Sequence, residues 1–197
     1  MAYIASTAFE PRITNNEFND LCNIAGKFYS TSAASDPSDC SAGLLCTKEA
    51  LLPAEGFSGV YNENTWKMIP AASAATVGTP IYACNTYDTQ LVTSADGNNW
   101  FVGTRTLGLG VPADRYGTFT VIDFDGKSHY RFGVGNISGT LSTNPVLTIE
   151  DGMLIPAAAA PSEAGAPYFS VMGTGNFTEG PRAAFGYVDV IACHVAG

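Results

Sequence analysis

The chain has 197 residues, 46% hydrophobic and 14% charged, with 21 glycines and 11 prolines. That length suits one domain burying about 70% of its unfolded surface, and the weakly charged, turn-rich composition describes a β-protein rather than a helical or disordered one. Nine basic against eighteen acidic residues give a net charge of −9, which weighs against nucleic acid or an anionic membrane as partner, and no apolar run reaches the roughly 20 residues of a spanning helix.

Residues 1–13 read as an extended N-terminal arm with Tyr3, Ile4 and Phe9 as apolar anchors, or alternatively as a frayed terminus. The opening MAYIASTAFEPR lacks the basic and long apolar segments of a secretory signal, so a soluble protein made in a reducing cytosol is expected. Residues 14–197 read as a single β-rich domain that opens on a short helix at 15–25. Within TNNEFNDLCNIAGK (14–27), Phe18, Leu21, Cys22 and Ala25 fall at i, i+3, i+4 and i+7, Thr14 and Glu17 form a capping-box pair, and Gly26 supplies the stop.

Residues 30–41 are small and polar, hence a loop, and 43–52 are ambiguous between strand and helix. Residues 59–61 and 65–69 predict a hairpin around Asn62, Glu63 and Asn64, with Trp66 and Met68 on one face. Residues 70–78 read as a surface loop. Strands follow at 81–85, 90–94 and 99–107, the last two joined by turn residues 95–98. Further on, 146–149 and 153–155 flank Glu150-Asp151-Gly152 as a hairpin, and PAAAAPSEAGAP (156–167) is a loop. Residues 168–173 and 184–195 close the chain as strands. Both faces of the last one are largely apolar, which fits burial on both sides or a subunit contact.

The strongest local signal is GTFTVIDFDGKSHYRFGV (117–134), which predicts a β-hairpin around Asp125-Gly126. In a two-residue loop Ile122 faces His129 and Val121 faces Tyr130. Phe119, Val121, Tyr130 and Phe132 then form the core face, and Thr120, Ile122, Phe124, Lys127, His129 and Arg131 the wetter one. The whole pattern implies a mainly β fold of antiparallel hairpins in a sandwich or barrel-like body with one short N-terminal helix.

Catalytic motifs are not found: the chain has no GxSxG, HExxH or P-loop. Gly108-Leu109-Gly110 imitates a dinucleotide loop, but no helix pattern follows Pro112 and the strand–helix–strand context is missing, so no cofactor is expected. Two histidines, His129 and His194, leave little for a triad or metal site, and Asp125 is accounted for by its turn. Cys22, Cys40, Cys46, Cys84 and Cys193 are odd in number and widely spaced, and read as free thiols, with Cys40 and Cys46 able to meet across a loop. Paired carboxylates for glycoside hydrolysis are defined by a spatial separation that sequence leaves open. Trp66, Trp100 and Tyr87 offer rings that pack in a core or stack on sugars.

Three blocks, IYACNTYDTQLVTSADGNNWFVG (81–103), GTFTVIDFDGKSHYRFGVG (117–135) and TIEDGMLIPAAAA (148–160), together with GTGNFTEG (173–180), resemble structural proteins of tailed bacteriophages, and among them head decoration or cement proteins. The resemblance covers about the C-terminal two-thirds. It implies a non-enzymatic, β-rich virion protein, often trimeric, made in the bacterial host cytoplasm and bound to the major capsid protein on the capsid exterior. An arm pairing with capsid strands is a frequent mode of attachment, which makes Tyr3, Ile4 and Phe9 the expected capsid contacts. The alternative is a carbohydrate-binding or adhesion module using Trp66 or Trp100; a glycosidase ranks third.

Overall fold

The computed structural model describes residues 7–13, 23–53, 61–72, 77–87, 91–93, 99–101, 110–113, 115–141, 145–177 and 185–197. The chain is mainly β. Its strands are β1 (Phe9–Ile13), β2 (Asn23–Phe28), β3 (Leu45–Pro53), β4 (Tyr61–Pro70), β5 (Tyr82–Tyr87), β6 (Leu91–Thr93), β7 (Asn99–Phe101), β8 (Gly117–Val121), β9 (His129–Gly133), β10 (Val146–Glu150), β11 (Met153–Ala157), β12 (Pro167–Asn176) and β13 (Gly186–His194). Strands β2-β4-β3-β5-β8 close into a barrel, β1-β9-β13-β12-β10-β11 form a six-stranded sheet, and β6-β7 are a separate ribbon. Among the described strands, pairing is antiparallel except between β2 and β4.

Two cores meet at a shared wall. Phe28, Cys46, Met68, Tyr82, Cys84 and Phe119 fill the barrel, while Leu45 and Ala83, their strand neighbours, point outward into the core under the sheet with Phe132, Leu147, Phe169 and Val190. Alternation at Leu45-Cys46 and at Tyr82-Ala83-Cys84 thus serves two apolar interiors at once. The same double covering explains β13, where Val188, Val190 and Ala192 are fully buried and Tyr187, Asp189, Ile191 and Cys193 stay half-buried on the other face.

The central hairpin does not form. Strand β8 pairs with β2 and β5 in the barrel, and β9 pairs with β1 and β13 in the sheet, so residues 122–128 carry the chain from one core to the other. Asp125 turns the crossing: its Oδ1 accepts the backbone N–H groups of Lys127 (2.8 Å) and Ser128 (2.7 Å), an Asx turn. Phe119, Tyr130 and Phe132 are buried as expected, yet Thr120, Ile122 and Phe124 from the expected wet face are buried too. The reason is the crossing, because Phe119 enters the barrel while Ile122 and Phe124 enter the sheet core. The second Asp-Gly behaves as predicted. Asp151 (φ 48°) and Gly152 (φ 77°) are both left-handed, which is the type I′ signature, and they join β10 to β11 in register from Val146↔Ala157 to Glu150↔Met153.

Other expectations are corrected. No α-helix occurs among the described residues: residues 23–25 of the expected helix belong to β2, and residues 14–22 lie outside the described set. Ile24, Gly26 and Phe28 alternate toward the barrel interior, and Gly26, read as a helix stop, is a point of close approach. A Cβ there would stand 2.6 Å from Met68 Cγ. Asn62, Glu63 and Asn64 do not turn, because β4 runs through them. The loop at 30–41, the β6/β7 pairing and the closing β12–β13 pair agree with the sequence reading.

Candidate functional site

Of the three arm anchors, Phe9 alone is described, and it is not free. It is fully buried, stacked at 5.9 Å on Tyr130 and tilted at 5.3 Å against Phe132, because β1 pairs along β9 from Phe9↔Phe132 to Ile13↔His129. Residues 9–13 are therefore a strand of the chain's own sheet. Tyr3 and Ile4 lie outside the described residues. Both outer strands of that sheet, β1 and β11, carry a proline, Pro11 and Pro156. A residue without an N–H weakens an edge as a template for another chain's strand.

Of the two expected sugar-stacking residues, Trp66 packs against the barrel core, and Lys48 Nζ sits 4.4 Å from its ring centroid. A sugar would have to displace that ammonium. Trp100 stands opposite Val92 in the β6-β7 ribbon, and its side chain is outside the description. Two further lysines cover rings: Lys27 over Tyr116 at 4.4 Å and Lys67 over Tyr29 at 4.9 Å.

The outer face of the six-stranded sheet carries a unit that sequence reading missed. Arg131 binds Asp189 through two parallel contacts, Nε to Oδ1 at 2.7 Å and a terminal nitrogen to Oδ2 at 2.8 Å. It lies 3.9 Å from Glu10, and its guanidinium carbon stands 3.5 Å from the centroid of Tyr187. The Asp189 hydrogen bond holds the guanidinium above its already high pKa. The ladder exists because Glu10, Arg131 and Asp189 are aligned across β1, β9 and β13, a juxtaposition of three distant segments that no local pattern signals. Asp189→Asn should cost about 0.5–1 kcal/mol, since the pair is partly exposed and solvent screens it, with the loss shrinking as salt is raised; urea midpoints at two ionic strengths measure it.

A cleft of about 310 Å³ lies between β10 and the 158–166 loop, lined by Val77, Thr148, Ile149, Glu150, Pro161, Glu163, Ala166 and Pro167. Its two carboxylates share this opening. The loop is pinned by reciprocal bonds, Gly165 N–H to Val195 C=O and Val195 N–H to Ala166 C=O, both 3.0 Å.

The chain matches no protein family, curated protein or solved structure. The chemistry of its residues therefore carries the functional reading. Among the described residues no group of three or more His, Cys, Asp or Glu side chains is placed to hold a metal ion. His129 is half-buried on the sheet, and His194 is exposed with its ring 5.5 Å from Phe124. Burial raises the Asp123 carboxyl, Asp125 adds to the rise, and His194 opposes it. Gly110, the last glycine of the dinucleotide-like triplet, is a packing residue against Cys40 and Ser41, whereas Gly108 and Leu109 lie outside the described residues.

Several segments converge on the turn at 40–46, where barrel and sheet join. Cys40 and Val111 exchange both backbone bonds (2.8 and 2.7 Å), Gly43 N–H donates to Cys84 C=O (2.7 Å), and Leu45 N–H donates to Gly152 C=O (2.9 Å). Asn136 Nδ2 donates to Ala42 C=O at 2.7 Å while its Oδ1 accepts Ala8 N–H at 3.0 Å. Cys40, Cys46 and Cys84 are buried here as free thiols. Burial pushes Cys40 and Cys46 above the usual thiol range, which makes them poor nucleophiles in the closed fold.

Proposed function

We propose that this chain is a non-enzymatic virion structural protein that binds the outside of a tailed-phage capsid and stabilises it, with the major capsid protein as partner and a homo-oligomer, favoured as a trimer, as the working form. The observation that carries this reading is where the phage-like blocks fall in the fold. Block 81–103 supplies β5, 117–135 supplies β8 and β9 with the crossing between them, and 148–160 supplies the β10–β11 hairpin. Of these, 117–135 joins barrel to sheet, while 81–103 also carries the β6-β7 ribbon and 148–160 lies at the sheet edge, so the resemblance follows strands of the scaffold. A rigid body with proline-blunted edges suits a protein displayed in many copies, since exposed edges invite aggregation and multivalency lets modest contacts hold. The covered ring of Trp66 ranks the carbohydrate-binding alternative second.

Because β1 belongs to the sheet, the capsid contacts proposed for the arm pass from Phe9 to Tyr3 and Ile4, which lie outside the described residues. The test mixes heads assembled without this protein with the full chain and with a form lacking residues 2–6, and reads occupancy by sedimentation and electron microscopy. The full chain should saturate the exterior, and the shortened form, with an unchanged circular dichroism spectrum, should bind at least about tenfold more weakly, a loss of roughly 1.4 kcal/mol per site. No binding by the full chain overturns the capsid reading. Undiminished binding by the shortened form overturns only the arm.

A further inference from the structure

We propose that Cys40 and Cys46 form a reversible dithiol–disulfide pair whose oxidation locks the joint between barrel and sheet. The inference stands apart from the capsid reading. Three cysteines, Cys40, Cys46 and Cys84, are fully buried in one cluster inside the barrel, and the Cys40 and Cys46 thiols both face carbonyls of the turn between them, Cys40 Sγ 3.8 Å from the Ser41 oxygen and Cys46 Sγ 3.6 Å from the Leu44 oxygen. Strand register separates the possible pairs. Cys46 stands opposite Tyr82, two positions from Cys84, and such diagonal neighbours lie about 7–8 Å apart, beyond the roughly 7 Å between Cα atoms that a disulfide spans. The Cys84 thiol is turned toward the Cys40 backbone, its Sγ 4.0 Å from the carbonyl oxygen. Cys40 and Cys46 remain, brought together by the turn that the Leu44 N–H to Ser41 C=O bond (3.1 Å) closes.

The bridge would fasten the turn on which Val111, Asn136 and Gly152 converge. Burial raises both thiols, so the reactive thiolate forms in a local opening of the turn rather than in the closed fold. The Cys46 thiolate adds to the N=N bond of an azodicarboxamide oxidant, and the nitrogen left negative takes a proton. The Cys40 thiolate then attacks the Cys46 sulfur; the S–S bond forms, the S–N bond breaks, and the departing nitrogen takes the second proton to give a hydrazine. Two electrons and two protons pass from the thiols to the oxidant, and a dithiol such as dithiothreitol returns them.

The full chain is treated with diamide, acid-quenched, and its thiols are counted in guanidinium and mapped as non-reduced peptides. Titratable thiols should fall from the five of the sequence to three, with a Cys40–Cys46 bridge inside one chain, reversal by dithiothreitol, and a higher guanidinium midpoint for the oxidised form. Cys84→Ala should keep the bridge and Cys46→Ala should lose it. The map of the unsubstituted protein decides the matter even if a variant misfolds. Five thiols after treatment, a Cys40–Cys84 bridge, bridges between chains, or oxidation only after global unfolding would each overturn the proposal.

Discussion

Gly110→Ala should leave little or no folded protein, whereas Gly126→Ala should fold with a modest loss. Both glycines have left-handed backbones, φ 59° and 76°, so each substitution carries the same conformational penalty of about 1–2 kcal/mol. They differ in space. A Cβ on Gly126 would meet nothing within 4 Å, while one on Gly110 would stand 1.9 Å from the Cys40 carbonyl oxygen and 2.8 Å from Ser41 Cα. Those atoms are backbone and cannot rotate away. Relief requires the Cys40–Val111 pair of hydrogen bonds to part in a dry interior, at about 1–3 kcal/mol for each group left unpartnered. The total exceeds about 4 kcal/mol, a large part of the 5–15 kcal/mol that holds a typical domain. Soluble yield and urea midpoints of the two variants give the comparison, and equal midpoints would show that the close approach at Gly110 is not present in solution.

The elements that sequence disclosed are those whose signals are local. The β10–β11 hairpin was legible because Asp151 and Gly152 set a turn and the flanking residues alternate. The same dipeptide at 125–126 misled, because a turn signal fixes the turn and not the partner of either flanking strand. Long-range pairing with β2, β5, β1 and β13 outweighs the local hairpin, as tertiary context does for any strand. At residues 23–25 the expected helix gives way to strand for a related reason: Ile24, Gly26 and Phe28 fit period two, and burial between β4 and β8 decides for residues 23–28. Of the site candidates, Phe9 was recognisable as an apolar anchor, but whether it anchors to its own sheet or to a partner depends on a strand 120 residues away. Arg131 with Asp189, the thiol trio and the 310 Å³ cleft are assembled from distant segments and had no pattern to read.

Asn136→Ala should destabilise the protein by about 3 kcal/mol, more than its 3₁₀ turn (Val134–Asn136) would suggest, because its side chain is what three segments share. Its amide is 1% exposed, accepts from Ala8, which leads into β1, and donates to Ala42 in the joint turn. Ala8 in turn accepts from Gly133 at the end of β9. Truncation leaves one N–H and one C=O without their partner in a site closed to water, each costing about 1–3 kcal/mol. Asn136→Asp separates the two bonds. A carboxylate keeps the acceptor for Ala8 but turns a second negative oxygen on the Ala42 carbonyl; a protonated carboxyl can donate there as the amide does. Burial and that carbonyl raise the folded-state pKa above the unfolded value of about 3.9, so the folded protein binds the extra proton. The contribution is therefore complete below the unfolded pKa and is lost as pH rises through the folded one. The Asp variant should approach wild-type stability near pH 3 and fall away toward neutrality, while the Ala variant keeps a nearly constant deficit. Urea midpoints of all three proteins across that range test this directly, and an Ala deficit under about 0.5 kcal/mol, the ordinary size of a surface substitution, would mean that Asn136 does not tie the sheet to the barrel.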